Sequence, residues 1–125
     1  QKQSVKKYTK LETVAKDESH TFKVSLRQEN NIRYLVAIYT GDLGCMNKES
    51  TILIKLLNNE VVKLLNTGEE GCAAGETLMF ELDYKTMKKL KSSPFSRIRV
   101  TGSDFFADLE PLLPNFFTNK IRCIE

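Results

Sequence analysis

The sequence contains no tryptophan and only one histidine, His20, among its 125 residues. Histidine supplies most general bases and many zinc ligands, so the sequence offers little material for either role. The three cysteines (Cys45, Cys72 and Cys123) include no Cys-x-x-Cys pair of the kind that zinc sites commonly use. We therefore predict neither a metal site nor a cofactor.

Long apolar runs and a strong charge of one sign are also missing. No apolar run approaches the roughly 20 residues that cross a bilayer as a helix, so we predict no transmembrane segment. The net charge is only +3, and the basic residues are interspersed with acids along most of the chain. Nucleic-acid-binding domains usually carry a larger or more concentrated basic surplus, so we do not expect a nucleic-acid partner.

What is present is the composition of an ordinary globular domain, with 41% hydrophobic and 28% charged residues. A length of 125 residues is typical of one domain, so we predict a single domain over residues 1–125, with residues 1–4 frayed. The polar start at Gln1 is typical of a chain from which a signal peptide has been removed. Together with the metal-free cysteines, it predicts a periplasmic or secreted protein.

Apolar and polar residues alternate in several segments, which is the pattern of half-buried strands. In the first such segment Phe22, Val24 and Leu26 point one way, and Ser25 points the other. A turn is predicted at residues 28–31, and the strand after it is apolar on both faces. The predicted strands cover residues 20–27, 32–40, 51–57, 60–66, 77–82, 96–101 and 105–109.

Asn58 and Asn59 separate two of these strands and predict a tight hairpin. Asparagine tolerates positive φ, which a two-residue type I′ turn requires at both central positions. Because both faces of this hairpin are apolar, we expect it to lie inside the sheet and not at an edge. The two-residue loop predicts the register Leu57–Glu60, Leu56–Val61 and Leu53–Leu64.

Two helices are predicted. Asp83 is a candidate N-cap for a helix over residues 84–91, which ends before Pro94. In the tail, the apolar residues recur at helical spacing, and Pro114 suits the first turn of the helix. The residues predicted to share one face of this C-terminal amphipathic helix are Leu113, Phe117, Ile121 and Ile124.

This order of elements predicts a mainly β (α+β) fold. The sheet is antiparallel, either meander or sandwich-like or barrel-like, with a short helix after the fifth predicted strand and the amphipathic helix at the C-terminus. The sequence leaves open whether the helices cover one face of the sheet or plug the end of a barrel.

A disulfide between Cys45 and Cys72 is predicted from the hairpin register. If the two-residue loop register is extended outward, Cys45 falls opposite Cys72, and opposed strand positions lie within disulfide range. Cys123 would then be a small buried hydrophobic residue on the last helix. The alternative is that all three thiols are free and buried.

A basic patch is predicted around the first helix. The functional interpretation is binding of an anionic ligand, and the alternative is a solvated helix whose last turn is stabilised by lysines. The patch consists of Lys85, Lys88, Lys89, Lys91, Arg97 and Arg99.

The candidate groups for an enzyme are Cys72, His20 and the acidic cluster Asp104, Asp108 and Glu110. A nucleophilic cysteine needs a neighbouring base, and glycoside hydrolysis needs two carboxylates across a cleft. No pattern in the sequence places these groups together. We therefore interpret the carboxylates as surface groups and name no catalytic residue.

Two pairs of phenylalanines, Phe105-Phe106 and Phe116-Phe117, stand near the end of the chain, and we interpret both as core residues in preference to a ligand platform. Phe105 and Phe106 cannot both face inward from one strand. One of them is therefore expected to be exposed, where it could mark a contact surface.

The second half of the chain has a recognisable order of elements. It consists of the hairpin over residues 52–65, Phe80-Glu-Leu-Asp83 leading into Met87 and Leu90, Arg97-Ile-Arg-Val100, and the last helix. In this order it resembles small exported proteins of unknown function from Gram-negative bacteria. The resemblance covers roughly residues 20–125 and implies export and a β-rich fold, but no catalytic residues.

The function predicted from these observations is a non-enzymatic extracytoplasmic binding or structural module, with a protein or a cell-envelope component as its partner. The alternatives are a small hydrolase-type enzyme with a non-local site and a binder of anionic polymers through the lysine-rich helix.

Overall fold

A computed structural model describes residues 6–40, 43–47, 49–66 and 77–125. In these residues nine strands, two α-helices and a terminal 3-10 helix are formed. The strands are β1 Lys6–Tyr8, β2 Glu12–Lys16, β3 Thr21–Glu29, β4 Ile32–Thr40, β5 Thr51–Leu56, β6 Val61–Leu65, β7 Thr77–Glu81, β8 Phe95–Thr101 and β9 Phe106–Pro111. The helices are α1 Tyr84–Ser92, α2 Phe116–Lys120 and the 3-10 helix Ile121–Ile124.

The strands form one antiparallel sheet in the order β6-β5-β8-β9-β2-β3-β4-β7, with β1 paired to β3 beside β2. The two outermost strands of this order, β6 and β7, approach each other. The backbone N–H of Met79 in β7 donates to Oδ1 of Asn66, directly after β6 (3.3 Å). The sheet is therefore a nearly closed barrel. This confirms the predicted mainly antiparallel β fold and selects the barrel-like form over the sandwich.

The β3–β4 hairpin forms at the predicted place, but its turn is shorter than residues 28–31. Glu29 pairs with Ile32, so the loop is only Asn30-Asn31. Both asparagines have positive φ, 53° and 66°, as a type I′ turn requires. The expected inward residues of β3 are fully buried, and Ser25 points to the opposite face as predicted, although it is only 4% exposed.

The β5–β6 hairpin is also present, but its predicted register is wrong by one residue. Leu53 lies opposite Lys63. The N–H of Leu56 donates to Glu60 O (2.9 Å) and that of Asn59 donates back to Leu56 O (3.0 Å), which makes the loop three residues long. Asn59 has a φ of 71°, the left-handed residue that ends such a loop. The pairs Leu57–Glu60, Leu56–Val61 and Leu53–Leu64 do not form.

The cause of this error lies in Leu57 and Asn58. The N–H of Leu57 donates to Pro94 O (2.9 Å), beside the start of β8, and not to β6. The side chain of Asn58 accepts the N–H of Glu60 (3.0 Å), which favours the longer loop. The position predicted for the hairpin is wrong in part as well, because β5 is internal whereas β6 is the first strand of the sheet order.

The helices close one end of the barrel and do not cover a face of the sheet. Backbone hydrogen bonds tie their flanking residues to strand ends: Leu82 N–H donates to Arg33 O (2.7 Å) and Phe95 N–H donates to Pro114 O (3.0 Å). Asp83 is the predicted N-cap of α1, since its carboxylate accepts the N–H of Thr86 (2.7 Å). The Nε of Arg33 donates to Ile124 O (2.8 Å), which holds the chain end over the same opening.

The C-terminal helix is shorter than predicted. It begins at Phe116, after Pro114, and continues from Ile121 as a 3-10 helix. Phe117, Ile121 and Ile124 are buried as expected, but Leu113 is 38% exposed and does not share their face. The assignment of the adjacent phenylalanines to the core is confirmed, since Phe117 packs edge-on against Phe95 and Phe116.

Strands β1 and β2 were not predicted. Lys6–Tyr8 is exposed throughout, so it has no alternation to detect. The register of β2 against β3 shifts between Thr13 and Ala15, which breaks the period of two. The helix α1 therefore follows the seventh strand, and not the fifth.

Candidate functional site

A groove of about 510 Å³ lies on the outside of the barrel, lined by β1 and the residues after it, by β3, with which β1 pairs, and by β4. We call this surface the outer groove. Its lining includes the apolar residues Leu11, Tyr34, Val36 and Ile38 and the cations Lys6, Lys7, Lys10 and Arg27.

Thr9 fixes one wall of the outer groove. Its N–H donates to Leu26 O (2.9 Å), and its Oγ1 accepts the N–H of Leu26 (2.9 Å). The hydroxyl of Ser25 donates to Thr9 O (2.7 Å), which explains why this outward-pointing serine is buried. The chain after β1 is therefore held against β3, so that the wall is part of the folded structure.

The floor of the outer groove is the outer face of β4. Leu35 and Ala37 point into the barrel and are fully buried, so the alternating positions 34, 36 and 38 point outward. Val36 is only 6% exposed although it lies on this outer face. The apolar character of β4 on both faces thus has two causes, the barrel core on one side and the groove on the other.

The charge of the outer groove is strongly positive. Its described lining contains four cationic residues and one carboxylate, Glu29. Lys6 lies 3.5 Å from Glu29, and Lys7 Nζ donates to Glu125 O (2.9 Å). Neither Lys10 nor Arg27 has an ion pair within the described part of the chain. The chain has 19 basic and 16 acidic residues in all, so the surplus at the groove equals the net charge of the whole chain.

The predicted basic patch is less positive than its sequence suggests. Lys91 is paired with Glu125 (2.6 Å), and Arg97 lies 3.5 Å from Glu110. Arg99 makes two hydrogen bonds to Asp108, at 2.7 and 2.9 Å. Half of the patch therefore has an acidic partner, which leaves Lys85, Lys88 and Lys89 as its unneutralised part.

The same pairs account for two of the three predicted carboxylates. Hydrogen bonds from Arg99 lower the pKa of Asp108, and they raise the pKa of Arg99. The guanidinium of Arg99 also lies 4.2 Å from the centre of the Phe106 ring, a cation–π contact. Asp108 is thus held as a charged partner of arginine on the outer face of the barrel, and it is not aimed into a cleft.

Phe106 is 56% exposed and its neighbour Phe105 is 64% exposed. We expected one of the pair to face inward, and this is wrong because β9 begins only at Phe106. Phe105 belongs to the preceding loop, where its N–H donates to Leu43 O (3.3 Å).

His20 is held in the turn between β2 and β3 by Asp17. The carboxylate oxygens of Asp17 lie 2.8 Å from Nδ1 of His20. The same carboxylate accepts the N–H groups of Ser19 (2.8 Å) and His20 (2.7 Å). Burial alone would raise the pKa of Asp17, but these hydrogen bonds outweigh it and lower the pKa. The imidazole ring stacks on Tyr39 at 5.6 Å.

The candidate catalytic groups are therefore not joined by the outer groove. His20, Asp108 and Glu110 each have a different bonded partner, and none of them lines the groove. Cys72 lies outside the described residues. Within the described ranges, His, Cys, Asp and Glu side chains nowhere gather in threes that could hold a metal ion.

Cys72 lies outside the described residues, so the Cys45–Cys72 disulfide stays a prediction. Its register argument has lost its basis, because the loop between β5 and β6 has three residues and not two. Cys123 is a free cysteine and is exposed. The prediction of a buried thiol there is wrong, because the chain continues from Ile121 as a 3-10 helix that turns Cys123 outward.

No family model, curated protein or solved structure matches this chain. The resemblance to small exported proteins stays a prediction. Among the described residues, none of the helices combines the length and the apolar character that crossing a membrane would require.

The outer groove was missed from the sequence because β1 was not recognised. One signal could have indicated it: Tyr34, Val36 and Ile38 occupy alternate positions of a strand whose other face is also apolar. A second apolar face requires a second covering element or a ligand, and the segment Lys-Lys-Tyr-Thr-Lys-Leu at residues 6–11 was available for this role.

Proposed function

We propose that the chain is a non-enzymatic binding domain that acts outside the cytoplasm and takes its ligand in the outer groove. The observation that carries this proposal is the groove itself. It combines an apolar floor with a cationic rim, and its volume of about 510 Å³ lies within the range of ligand pockets in proteins.

The groupings of polar side chains support binding over catalysis. His20 and Asp108, two candidates for acid–base chemistry, are engaged with Asp17 and Arg99. His20 and Asp17 stabilise a turn, and Asp108 forms an ion pair with Arg99. The groove, in contrast, offers cations and apolar surface, which bind a ligand without transforming it.

A turnover assay tests the non-enzymatic part of the proposal. The wild-type protein is incubated with chromogenic esters, phosphoesters, glycosides and peptides, next to His20→Ala and Asp108→Ala. We expect all three proteins to show background rates. Turnover by the wild type that either variant abolishes would overturn the proposal.

Mass spectrometry with and without reductant tests the export part. We expect a Cys45–Cys72 link that disappears on reduction, with Cys123 alkylated in both samples, because disulfides persist in oxidising compartments. Three alkylated thiols in the unreduced protein purified from its natural compartment would count against export.

A further inference from the structure

We infer that the outer groove binds one amphiphilic carboxylate, a molecule with an unbranched apolar chain and a single anionic head. This inference rests on the proposed function and names the ligand class for the same site.

The apolar half of the ligand is matched by the floor of the groove. Val36 and Ile38 line it from β4, and Leu11 lines it from the segment after β1. Leu11 is 41% exposed and Tyr8, also in the lining, is 75% exposed. An apolar chain laid between them would remove this surface from water, which is the main favourable contribution to such binding.

The anionic half is matched by the rim. Lys10 and Arg27 line the groove and have no ion pair with any described residue, whereas the nearby Lys6 has Glu29 at 3.5 Å. Arg27 lies opposite Tyr8 in β1 and opposite Tyr34 in β4. A guanidinium in this position can bind a carboxylate with two parallel hydrogen bonds.

A single small molecule fits these features better than a polymer or a membrane surface. The groove gathers its cations around one concave site, whereas the basic patch is spread around α1 and has acids paired to half of its members. Polyanions require a row of cations along a surface. A concave site with one apolar floor accommodates one chain.

Isothermal titration with decanoate tests the inference, with decan-1-ol and acetate as matched probes. Decanoate is expected to bind. Decan-1-ol, which has the chain without the charge, is expected to bind about a hundredfold more weakly, since it loses the charge-assisted bonds to both Arg27 and Lys10, each of which contributes roughly one order of magnitude. Acetate, which has the charge without the chain, is expected to give no detectable heat.

Variants locate the head group. Arg27→Gln and Lys10→Gln are each expected to weaken decanoate binding about tenfold and to leave decan-1-ol binding unchanged. Lys63→Gln is the control, because Lys63 is an exposed lysine on a strand but does not line the groove. Circular dichroism of each variant shows that the fold is kept.

Three results would overturn the inference. Equal binding of decanoate and decan-1-ol, unaffected by Arg27→Gln, would show that the ligand needs no anionic head group, although the groove would still be a binding site. Absence of decanoate binding would exclude this ligand class. The turnover assay would still test the non-enzymatic part of the proposed function independently. Co-sedimentation with phosphatidylglycerol vesicles that Arg27→Gln and Lys10→Gln both weaken, in a protein that binds no decanoate, would assign the surface to membranes instead.

Discussion

Single polar side chains determine the conformation of several turns in this barrel. The alternation of apolar residues in the strands does not determine these turns. Asp17 is the clearest case, because one carboxylate accepts two backbone N–H groups and contacts Nδ1 of His20. The two asparagines of the β3–β4 loop and Asn59 of the next hairpin adopt positive φ. These residues define loop length, and loop length defines register.

The turn at Asp17 gives the first prediction. Asp17→Ala is expected to lower the free energy of unfolding by about 1 kcal/mol at pH 7, because two backbone N–H groups lose their acceptor. Asp17→Asn keeps an oxygen acceptor and is expected to lose less. Urea unfolding of both variants measures the difference. An equal loss would mean that the charge, and not the acceptor, stabilises the turn.

The pair of Arg99 and Asp108 gives a prediction about pH. Hydrogen bonds from Arg99 lower the pKa of Asp108 in the folded protein. A group with a lowered folded-state pKa stabilises the protein above its unfolded-state value, about 3.9, and this contribution is lost as the pH falls through the folded-state value. The difference in unfolding free energy between wild type and Asp108→Asn should therefore be constant from about pH 7 to 5 and shrink below about pH 4. A difference that does not change with pH would contradict the assigned cause.

Among the elements, the hairpins show which strand bounds and registers can be predicted from the sequence alone. The strand over residues 32–40 was predicted with its observed bounds, because nine consecutive residues carry the signal. The β5–β6 register was missed because two asparagines suit both a two-residue and a three-residue loop, and the choice depends on Pro94, which is distant in sequence. The groove was missed for a similar reason, since β1 is recognisable only through its pairing with β3.

The β5–β6 loop can be tested at its left-handed residue. Asn59→Ala is expected to lower the free energy of unfolding by about 1 kcal/mol, because a Cβ without a local hydrogen-bonding group is unfavourable at positive φ. Asn59→Gly is expected to be nearly neutral. Thermal unfolding compares the two variants, and an alanine variant as stable as the glycine variant would contradict the assigned loop conformation.

The C-terminal helix can be tested at two residues that the sequence placed on one face. Phe117 is 1% exposed and packs between Phe95 and Phe116, whereas Leu113 is 38% exposed. Phe117→Ala is expected to cost about 3–5 kcal/mol, and Leu113→Ala less than about 1 kcal/mol. Chemical unfolding measures both. Similar costs would show that Leu113 belongs to the core after all.

For the whole molecule, the helices close one end of the barrel and the core fills its interior, so the site lies on the outside. This arrangement separates stability from binding. The buried residues hold the sheet in shape, and the segment tied by Thr9 adds a wall to β3 and β4. The described lining of the groove has four cations and one carboxylate around one concavity, which makes the outer groove a focus of positive potential.

The most direct test of the outer groove as the binding site is an NMR titration of the ¹⁵N-labelled protein with decanoate. The account predicts that amide shifts move for residues of β1, the segment 9–11 and the facing parts of β3 and β4, and that the amides of α1 stay in place. Shifts concentrated on α1, or spread evenly over the barrel, would contradict it.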